Sequence, residues 1–460
     1  MKKLLLGYDI MTYNGEMPNC LEPKYLESIY NATDFDFKNS GEGFKQAWGV
    51  DWPLYNGGFW DNVAEKKSIY EILQHHRNEQ WFYMVEPFGN VETFFGNNSQ
   101  QKFLLENISS VALKEIQQGN GYLMISYLID GGLGVTRNNF QKIIDFTKKN
   151  WIPDEKVILV FQDFKLKENL SSMNVNYKVL DFNLALLSKA NEFVNTLRDP
   201  YWSFWGPQGH DPQLGKVGVT RSTVATYQEF ETSIGHTKKD FLFFCRRWKL
   251  HRLLAMSKIH KMGIENSYVS WDKRFFEDWK GSVDLFLRHD DNKEFLELIK
   301  NTNSILDVED IVRIAGYGFE DKSLYLKSYI SIAAESIFFQ DDTSFPSGYL
   351  SEKIWKPIGH AQPFILMGPH KSLEYIRSLG FQTFHPFIDE SYDDEKDGMV
   401  RLQKILHEME KFAMRTKQEK DEFLHNVKHI VRHNHEKFLN YPNVYKQDSM
   451  KMVQEMYGII

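Results

Sequence analysis

Three arginines follow an apolar segment in the middle of the chain. Asp240–Cys245 (DFLFFC) has the composition of a buried strand, and Arg246, Arg247 and Arg252 follow it at the start of a helical pattern that ends near Gly263. Guanidinium groups bind phosphate oxygens through paired hydrogen bonds. The cluster therefore predicts an anion site at the carboxyl end of a strand. A surface helix with basic side chains would have the same local sequence.

A second charged group, Glu352, Lys353 and Lys356, lies in the segment YLSEKIWKPIGH. Apolar residues recur at helical spacing over residues 352–360, which predicts a helix with one face packed on a sheet. The first turn of a helix has free amide donors and a partial positive charge, and a lysine adds a full charge, so the segment suits a diphosphate. Glu352 would then accept hydrogen bonds from ribose hydroxyls. A helix with a solvated, charged end explains the segment equally well.

Two carboxylates are candidates for a catalytic base. Glu86 follows the apolar run Trp81–Val85, and Asp130 follows the run Tyr122–Ile129. If both runs are strands of one parallel sheet, both carboxylates lie at its carboxyl edge, where such sheets bind ligands. Either could take a proton from an acceptor hydroxyl, but acids at strand ends also form turns and cap helices.

No metal site is expected. Asp34-Phe35-Asp36 resembles the two-carboxylate pattern of some metal-dependent transferases, but a three-residue match arises easily by chance and no clear strand precedes it. His425, His429 and His433 have the i, i+4 spacing of helical metal ligands, although their polar, charged surroundings are typical of a solvated face. The chain also lacks a glycine-rich phosphate loop ending in Gly-Lys-Ser/Thr, which argues against a kinase or phosphatase of nucleotides.

The composition is typical of a soluble protein from a reducing environment. The chain has 460 residues, a net charge of −7 and two cysteines, Cys20 and Cys245. Two cysteines cannot build a disulfide framework, and the net negative charge argues against a protein that binds polyanions in general. The apolar run near the N-terminus is too short for a signal peptide, and no stretch has the length of a membrane span. We therefore expect a cytoplasmic protein.

Apolar runs of strand length alternate with helical patterns through most of the chain, which predicts an α/β fold with open, mostly parallel sheets. The predicted strands are Lys3–Tyr8, Trp81–Val85, Tyr122–Ile129, Lys156–Phe161, Tyr177–Leu180, Asp240–Cys245, Ser267–Ser270, Leu324–Ala333 and Phe364–Met367, and the predicted helices include Ala64–His75 and Asn139–Lys149. We place an acceptor-side domain at residues 1–236, a nucleotide-sugar-binding domain at 237–415 and C-terminal helices at 416–460.

Two blocks of the second half resemble a known family. CRRWKLHRLLAMSKIHKMGI and YLSEKIWKPIGHAQPFILMGPHKSLEYIRSLGFQTFHPFIDESYDD are similar to blocks of a glycosyltransferase family found in tailed bacteriophages and large DNA viruses. The Glu352-Lys353 helix also resembles the donor-binding motif of the α1,3-fucosyltransferases. The resemblance covers residues 240–412, and Cys245 stands where the family pattern often has Asn. The first half shows no such match.

The resemblance implies a glycosyltransferase with two Rossmann-like domains facing a cleft, the GT-B arrangement, in which C-terminal helices commonly cross back to the first domain. Glu352 would bind the ribose of a nucleotide-diphosphate sugar. Lys353, Arg246 and Arg252 would bind the diphosphate, without a metal or another cofactor. The acceptor would be a hydroxymethylated base of phage DNA or a surface glycan, and a viral protein would act in the host cytoplasm. The alternative is a non-catalytic nucleotide- or glycan-binding protein with the same fold.

Overall fold

The computed structural model describes residues 3–8, 64–85, 104–127, 136–181, 183–198, 224–245, 247–273, 280–288, 293–302, 304, 321–339 and 345–458. The chain divides into two compact units. The first unit consists of Met1–Phe182 with Gln447–Ile460, and the second consists of Asn183–Lys446. Each unit contains its own parallel sheet, so the α/β fold with parallel sheets that the alternating pattern predicts is confirmed.

The first unit has six strands within the described residues: β1 (Leu4–Tyr8), β2 (Ala64–Ser68), β3 (Trp81–Val85), β4 (Gly121–Tyr127), β5 (Val157–Phe161) and β6 (Lys178–Asp181). Its helices are α1 (Ile69–His75), α2 (Ser110–Gln118), α3 (Arg137–Lys149) and α4 (Leu166–Ser171). The strands pair in parallel in the order β2-β1-β3-β4-β5-β6. All residues of β3 and β5 are buried, as expected for strands covered on both faces.

The second unit has four strands in the part of the chain that the structure describes: β7 (Lys239–Phe244), β8 (Tyr268–Ser270), β9 (Ser328–Ala334) and β10 (Phe364–Met367). They pair in parallel in the order β10-β9-β7-β8. The helices are α5 (Leu184–Arg198), α6 (Tyr227–Ser233), α7 (Leu250–Lys261), α8 (Lys280–Phe286), α9 (Lys293–Asn301), α10 (Lys322–Leu326), α11 (Glu352–Gly359), α12 (Ser372–Ser378), α13 (Gly398–Ala413) and α14 (Lys417–Gly458). The part of α14 from Gln447 onward belongs to the first unit.

Two predicted elements are corrected by the structure. Ala64–His75 was expected to be one helix, but Ala64–Ser68 is the edge strand β2 and only Ile69–His75 is helical. An edge strand can carry charged side chains because one side of it stays solvated, and Lys67 pairs with Glu71 at 2.7 Å. The residues of Ala64–Ser68 have helical spacing in the sequence, but their pairing with β1 holds them in a strand.

Leu324–Ala333 was expected to be one strand, but its first residues belong to helix α10 and β9 begins at Ser328. Asp321 starts the helix, because its side chain accepts a hydrogen bond from the Ser323 amide at 2.8 Å. The apolar composition of the segment is the same in both elements, so the local pattern could not locate the boundary.

The boundary between the compact units lies at Phe182/Asn183, whereas the predicted domain boundary is at residues 236/237. The difference comes from α5, which packs against α11 of the second unit. Gly359 of α11 allows this packing, since an added Cβ would lie 2.5 Å from the Phe193 ring. Among the described residues, no helix has both the length and the apolarity needed to cross a lipid bilayer.

Candidate functional site

The strand order of the second sheet reverses between β7 and β9. The chain passes from β7 to β8 on one side and then returns to place β9 on the other side of β7. In open α/β sheets, ligands bind outside the carboxyl ends of the strands at such a reversal. Helix α7 follows β7 and helix α11 follows β9. The described members of the two charged groups are thus brought to this edge.

Glu335 lies at the centre of this edge. It follows β9 directly and its residue surface is 0% exposed. Its Oε2 accepts hydrogen bonds from the Ser351 amide, at 3.1 Å, and from the Ser351 hydroxyl. Burial raises the pKa of the carboxyl group, and the charge of Lys353 acts in the opposite direction. Its Oε1 is buried and has no hydrogen-bond partner among the described residues.

The backbone of the same region is held by α7. Arg252 is 3% exposed, and its Nη2 donates to the carbonyl oxygens of Ala334, at 2.7 Å, and Glu335, at 3.1 Å. Nε2 of His251 lies 3.0 Å from the Glu335 carbonyl oxygen. Arg252 therefore links α7 to the end of β9 through backbone carbonyl groups. Its Nε is buried and has no hydrogen-bond partner in the part of the chain that the structure describes.

Ser351 starts helix α11 and connects Glu335 to the charged pair that the sequence singled out. Its hydroxyl oxygen accepts from the Lys353 amide at 3.3 Å and from Lys353 Nζ at 3.0 Å. Lys353 Nζ also lies 2.7 Å from Oε1 of Glu352, and the side chains of this pair are 28% and 31% exposed. A hydrogen-bonded chain thus runs from Glu335 through Ser351 to the Lys353–Glu352 pair.

The pKa of Glu352 is lowered from its ordinary value. Burial acts to raise it, but the charges of Lys353 and Lys356 prevail and hold the carboxylate in its ionised form. An ionised carboxylate at the start of a helix is also stabilised by the helix dipole. Glu352 is therefore available as a hydrogen-bond acceptor at the edge where β7 and β9 diverge.

Lys249 is a member of this site that the sequence analysis did not identify. It is half-buried, it directly precedes α7, and its Nζ donates to the carbonyl oxygen of Ser336. Burial, together with the charges of Arg252, Arg247 and Lys353, lowers the pKa of Lys249 to about 8. Cations from two helices thus converge on Lys249. Its position just before the predicted helix was the one signal that could have identified it.

The remaining predicted site residues have different environments. Arg247 is exposed next to Lys249, and Lys356 is half-buried on α11. Arg246, Glu86 and Asp130 lie outside the described residues. The Cys245 side chain is buried, and burial raises the pKa of its thiol to about 12. It is therefore a neutral packing residue beside the site.

Of the four histidines in the predicted patch on α14, three are exposed. His425, His429 and His433 are exposed, whereas His435 is buried. His433 lies 3.0 Å from the Gly380 carbonyl oxygen through its Nε2. In the ranges that the structure describes, no three His, Cys, Asp or Glu residues are grouped in a way that could hold a metal ion.

The block GFQTFHPFIDESYDD has a structural role in this chain. Asp393 accepts hydrogen bonds from the amides of Leu373 and Glu374, both at 2.9 Å, and so caps the start of α12. Glu390 accepts from the Phe384 amide at 2.6 Å, and Arg377 lies 3.2 Å from Glu390. These carboxylates stabilise the chain that follows β10.

No protein-family model matches the chain, and no curated protein sequence matches it either.

Proposed function

We propose that the chain is a glycosyltransferase that moves a sugar from a nucleotide-diphosphate donor to an acceptor hydroxyl, and that the second unit binds the donor. The observation that carries the proposal is the convergence of Arg247, Lys249 and Lys353 at the reversal of strand order between β7 and β9. A diphosphate leaving group develops negative charge as the sugar departs. Fixed cations and helix N-termini stabilise that charge and lower the barrier to transfer.

The proposed roles follow from the environment of each side chain. Lys353, Arg247 and Arg246 bind the diphosphate, and the ionised Glu352 accepts hydrogen bonds from the ribose. Arg252 holds the end of β9 in place beside them. Because side-chain cations supply the positive charge, the proposal includes no metal ion and no cofactor besides the nucleotide sugar.

The catalytic base and the domain arrangement complete the proposal. Glu86 follows β3 and Asp130 follows β4 in the chain, and these strands are neighbours in the first sheet. Either carboxylate would deprotonate the acceptor hydroxyl in an inverting reaction. The GT-B arrangement of two Rossmann-like domains is proposed from the resemblance to the viral and fucosyltransferase families.

The acceptor is a hydroxymethylated base of phage DNA or a surface glycan. The net charge of −7 disfavours duplex DNA, because phosphate contacts require cationic surfaces. A gel shift with duplex DNA at low salt separates the two acceptors: retention of the duplex supports the base, and free migration supports the glycan.

The donor-site assignment is tested by calorimetric titration with a panel of nucleoside diphosphates. Replacing Lys353 with alanine should weaken binding by about tenfold to a hundredfold, since a hydrogen bond to a charged group contributes about 1.5–3 kcal/mol. The matched control is Lys411→Ala, which removes an exposed lysine that pairs with Glu408 at 2.6 Å on α13. Equal affinity of Lys353→Ala and wild type would contradict the assignment.

Transfer or hydrolysis of a labelled nucleotide sugar distinguishes the enzyme from a non-catalytic nucleotide- or glycan-binding protein. An enzyme releases nucleoside diphosphate with time, and substitution of Lys353 slows that release. A binding protein retains the intact nucleotide sugar. Stable binding without any turnover in the presence of hydroxymethylated DNA or glycan acceptors would favour the binding protein.

A further inference from the structure

The described charges that act on Lys249 most strongly are positive. Arg247 and Arg252 face it from its own turn and helix, and Lys353 faces it from α11. Of the carboxylates that the structure describes nearby, Glu335 accepts from Ser351 and Glu352 pairs with Lys353. Among the residues that the structure describes here, Arg247, Lys249, Arg252 and Lys353 thus concentrate positive charge at one edge of the sheet.

At this edge, one atom in each of two buried side chains has no hydrogen-bond partner among the described residues. These are Nε of Arg252 and Oε1 of Glu335, in residues that are 3% and 0% exposed. A buried donor without a partner is unfavourable, and in native proteins it often indicates that a ligand or an ion completes the site. Together with the concentration of cations, the unpartnered guanidinium donor indicates an anion.

We propose that Lys249 completes an anion site with Arg247 and Lys353, that the site takes a diphosphate, and that binding of the anion adds one proton from solvent to Lys249. The identity of the anion as part of a nucleotide rests on the proposed function. The involvement of Lys249 and the uptake of the proton rest on its position among the cations.

The direction of the pH dependence follows from the environment of the free site. Burial and three cations lower the pKa of Lys249 to about 8, so part of the population is neutral in mildly alkaline solution. A bound anion favours the ammonium form and raises that pKa. Affinity is therefore constant below about pH 8 and falls as the pH rises above that value, by at most about tenfold per pH unit.

The other titratable groups of the edge have different titration behaviour. Burial and the charge of Arg252 lower the pKa of His251 well below its ordinary value, so this residue stays neutral in alkaline solution. Glu335 is a carboxyl group with a raised pKa, and Glu352 is one with a lowered pKa. All three groups are retained when Lys249 is replaced, which separates their contribution from that of the lysine.

The test uses the full chain and isothermal calorimetry with GDP, UDP, ADP and CDP, followed by the tightest binder at about pH 7 and about pH 9 in buffers of different ionisation enthalpy. The terminal phosphate of these probes is already ionised in this range. Wild type should bind more weakly at the higher pH and take up a proton there. Lys249→Met should lose about tenfold to a hundredfold in affinity and should show no proton uptake.

Lys249→Arg is the decisive variant, because arginine keeps its charge throughout this range. It should retain most of the affinity and lose the pH dependence. Lys261→Met, an exposed lysine at the other end of α7, is the matched control and should behave as wild type. Melting temperatures of all variants without ligand report whether each one folds. Unchanged affinity in Lys249→Met, or unchanged proton uptake in Lys249→Arg, would overturn the inference.

A thermal-shift series with sodium sulfate against sodium chloride distinguishes this inference from the proposed function. Sulfate stabilises proteins in general. The relevant quantity is therefore the part of the increase in melting temperature that is absent in Lys249→Met and present in Lys261→Met. If sulfate stabilises through Lys249 while no nucleoside diphosphate binds, the anion site is supported and the proposed donor is overturned. If neither sulfate nor any nucleoside diphosphate depends on Lys249, the inference is overturned.

Discussion

The first strand of each unit, β1 or β7, lies between the second and the third strand of its sheet. Around these equivalent positions the interiors differ. In the first unit, Trp81 is fully buried, and a Cβ added at Gly7 or at Gly121 would lie 2.7 Å from its ring. An apolar ring thus fills the space that two glycines leave on the neighbouring strands.

In the second unit, buried charges lie at the carboxyl ends of the first and third strands, whereas Trp81 is the first residue of β3. Arg252 and Glu335 are almost completely buried there, and their hydrogen bonds connect α7, β9 and α11. One strand order can therefore support an apolar packing centre or a charged network. Since strand order positions a site without determining its chemistry, the chemistry depends on the residues that follow the strands.

The largest expected effect comes from removing the buried tryptophan of the first unit. Trp81→Ala should reduce the free energy of unfolding by about 3–5 kcal/mol, because it removes a buried aromatic ring and leaves a cavity between two glycines. Urea unfolding measures the loss. Trp151→Ala, at a residue that is 85% exposed in the same unit, should change stability by less than about 0.5 kcal/mol.

Nucleoside diphosphate affinity of folded Trp81→Ala should remain near that of wild type, because the proposed donor residues lie in the second unit. A loss of affinity as large as that of Lys353→Ala would contradict the separation of roles between the units.

Mild acid should selectively weaken the second unit. Burial lowers the pKa of His251, His360 and His435, so the native state keeps these imidazoles neutral while the unfolded chain takes up protons below its ordinary pKa of 6.5. Stability is therefore complete above that value and falls as the pH decreases, by at most about 1.4 kcal/mol per pH unit for each histidine. Urea midpoints between about pH 7 and about pH 5 give the slope.

His360 provides the variant for this experiment. Its Nδ1 accepts a hydrogen bond from the Ala225 amide at 3.2 Å, which only the unprotonated nitrogen can do. His360→Asn keeps an acceptor and cannot be protonated, so its stability should decrease less steeply in acid. His425→Asn, at an exposed position, should keep the wild-type slope. Equal slopes for wild type and His360→Asn would contradict the role of this histidine.

Gly359→Ala tests how strongly the charged network of the second unit depends on the packing of α11. The added methyl group would lie 2.5 Å from the Phe193 ring and 2.8 Å from the Phe438 ring, so α11 must shift. We expect a loss of about 1–3 kcal/mol in stability. Since α11 carries Lys353, nucleoside diphosphate affinity should fall as well.

The control for this substitution is Gly281→Ala on α8, where an added Cβ meets no atom within 4 Å. It should leave affinity unchanged and increase stability by up to about 1 kcal/mol through helix propensity. Full affinity in Gly359→Ala, despite a clear loss of stability, would show that the site tolerates movement of α11.

The smallest expected effect concerns the cap of α12. Asp393→Ala removes the acceptor of two helix amides and should cost about 1–2 kcal/mol of stability without changing nucleoside diphosphate affinity. Asp394→Ala, which removes only an exposed ion pair with Lys371, should cost about 0–1 kcal/mol. Chemical denaturation and calorimetry measure the two quantities. A strong loss of affinity in Asp393→Ala would instead assign the acidic block to the ligand site.

Local composition was sufficient to predict most of the strands and the helix that starts at Glu352. The apolar runs 81–85, 157–161 and 364–367 are strands because parallel strands are buried on both faces and need apolar residues at every position. The edge strand β2 escaped prediction because it needs no such run. Its conformation comes from pairing with β1, a partner that lies far away in the sequence.

The candidate site, like the fold, was predictable from the sequence only in part. The sequence by itself determined which charged residues follow β7 and β9, and that cations would be concentrated there. Tertiary structure alone decided that Arg252 turns inward to backbone carbonyl groups, that Glu335 connects to Lys353 through Ser351, and that Lys249 lies among other cations. Burial and the distance between charges set these roles, and both quantities depend on which distant segments pack together.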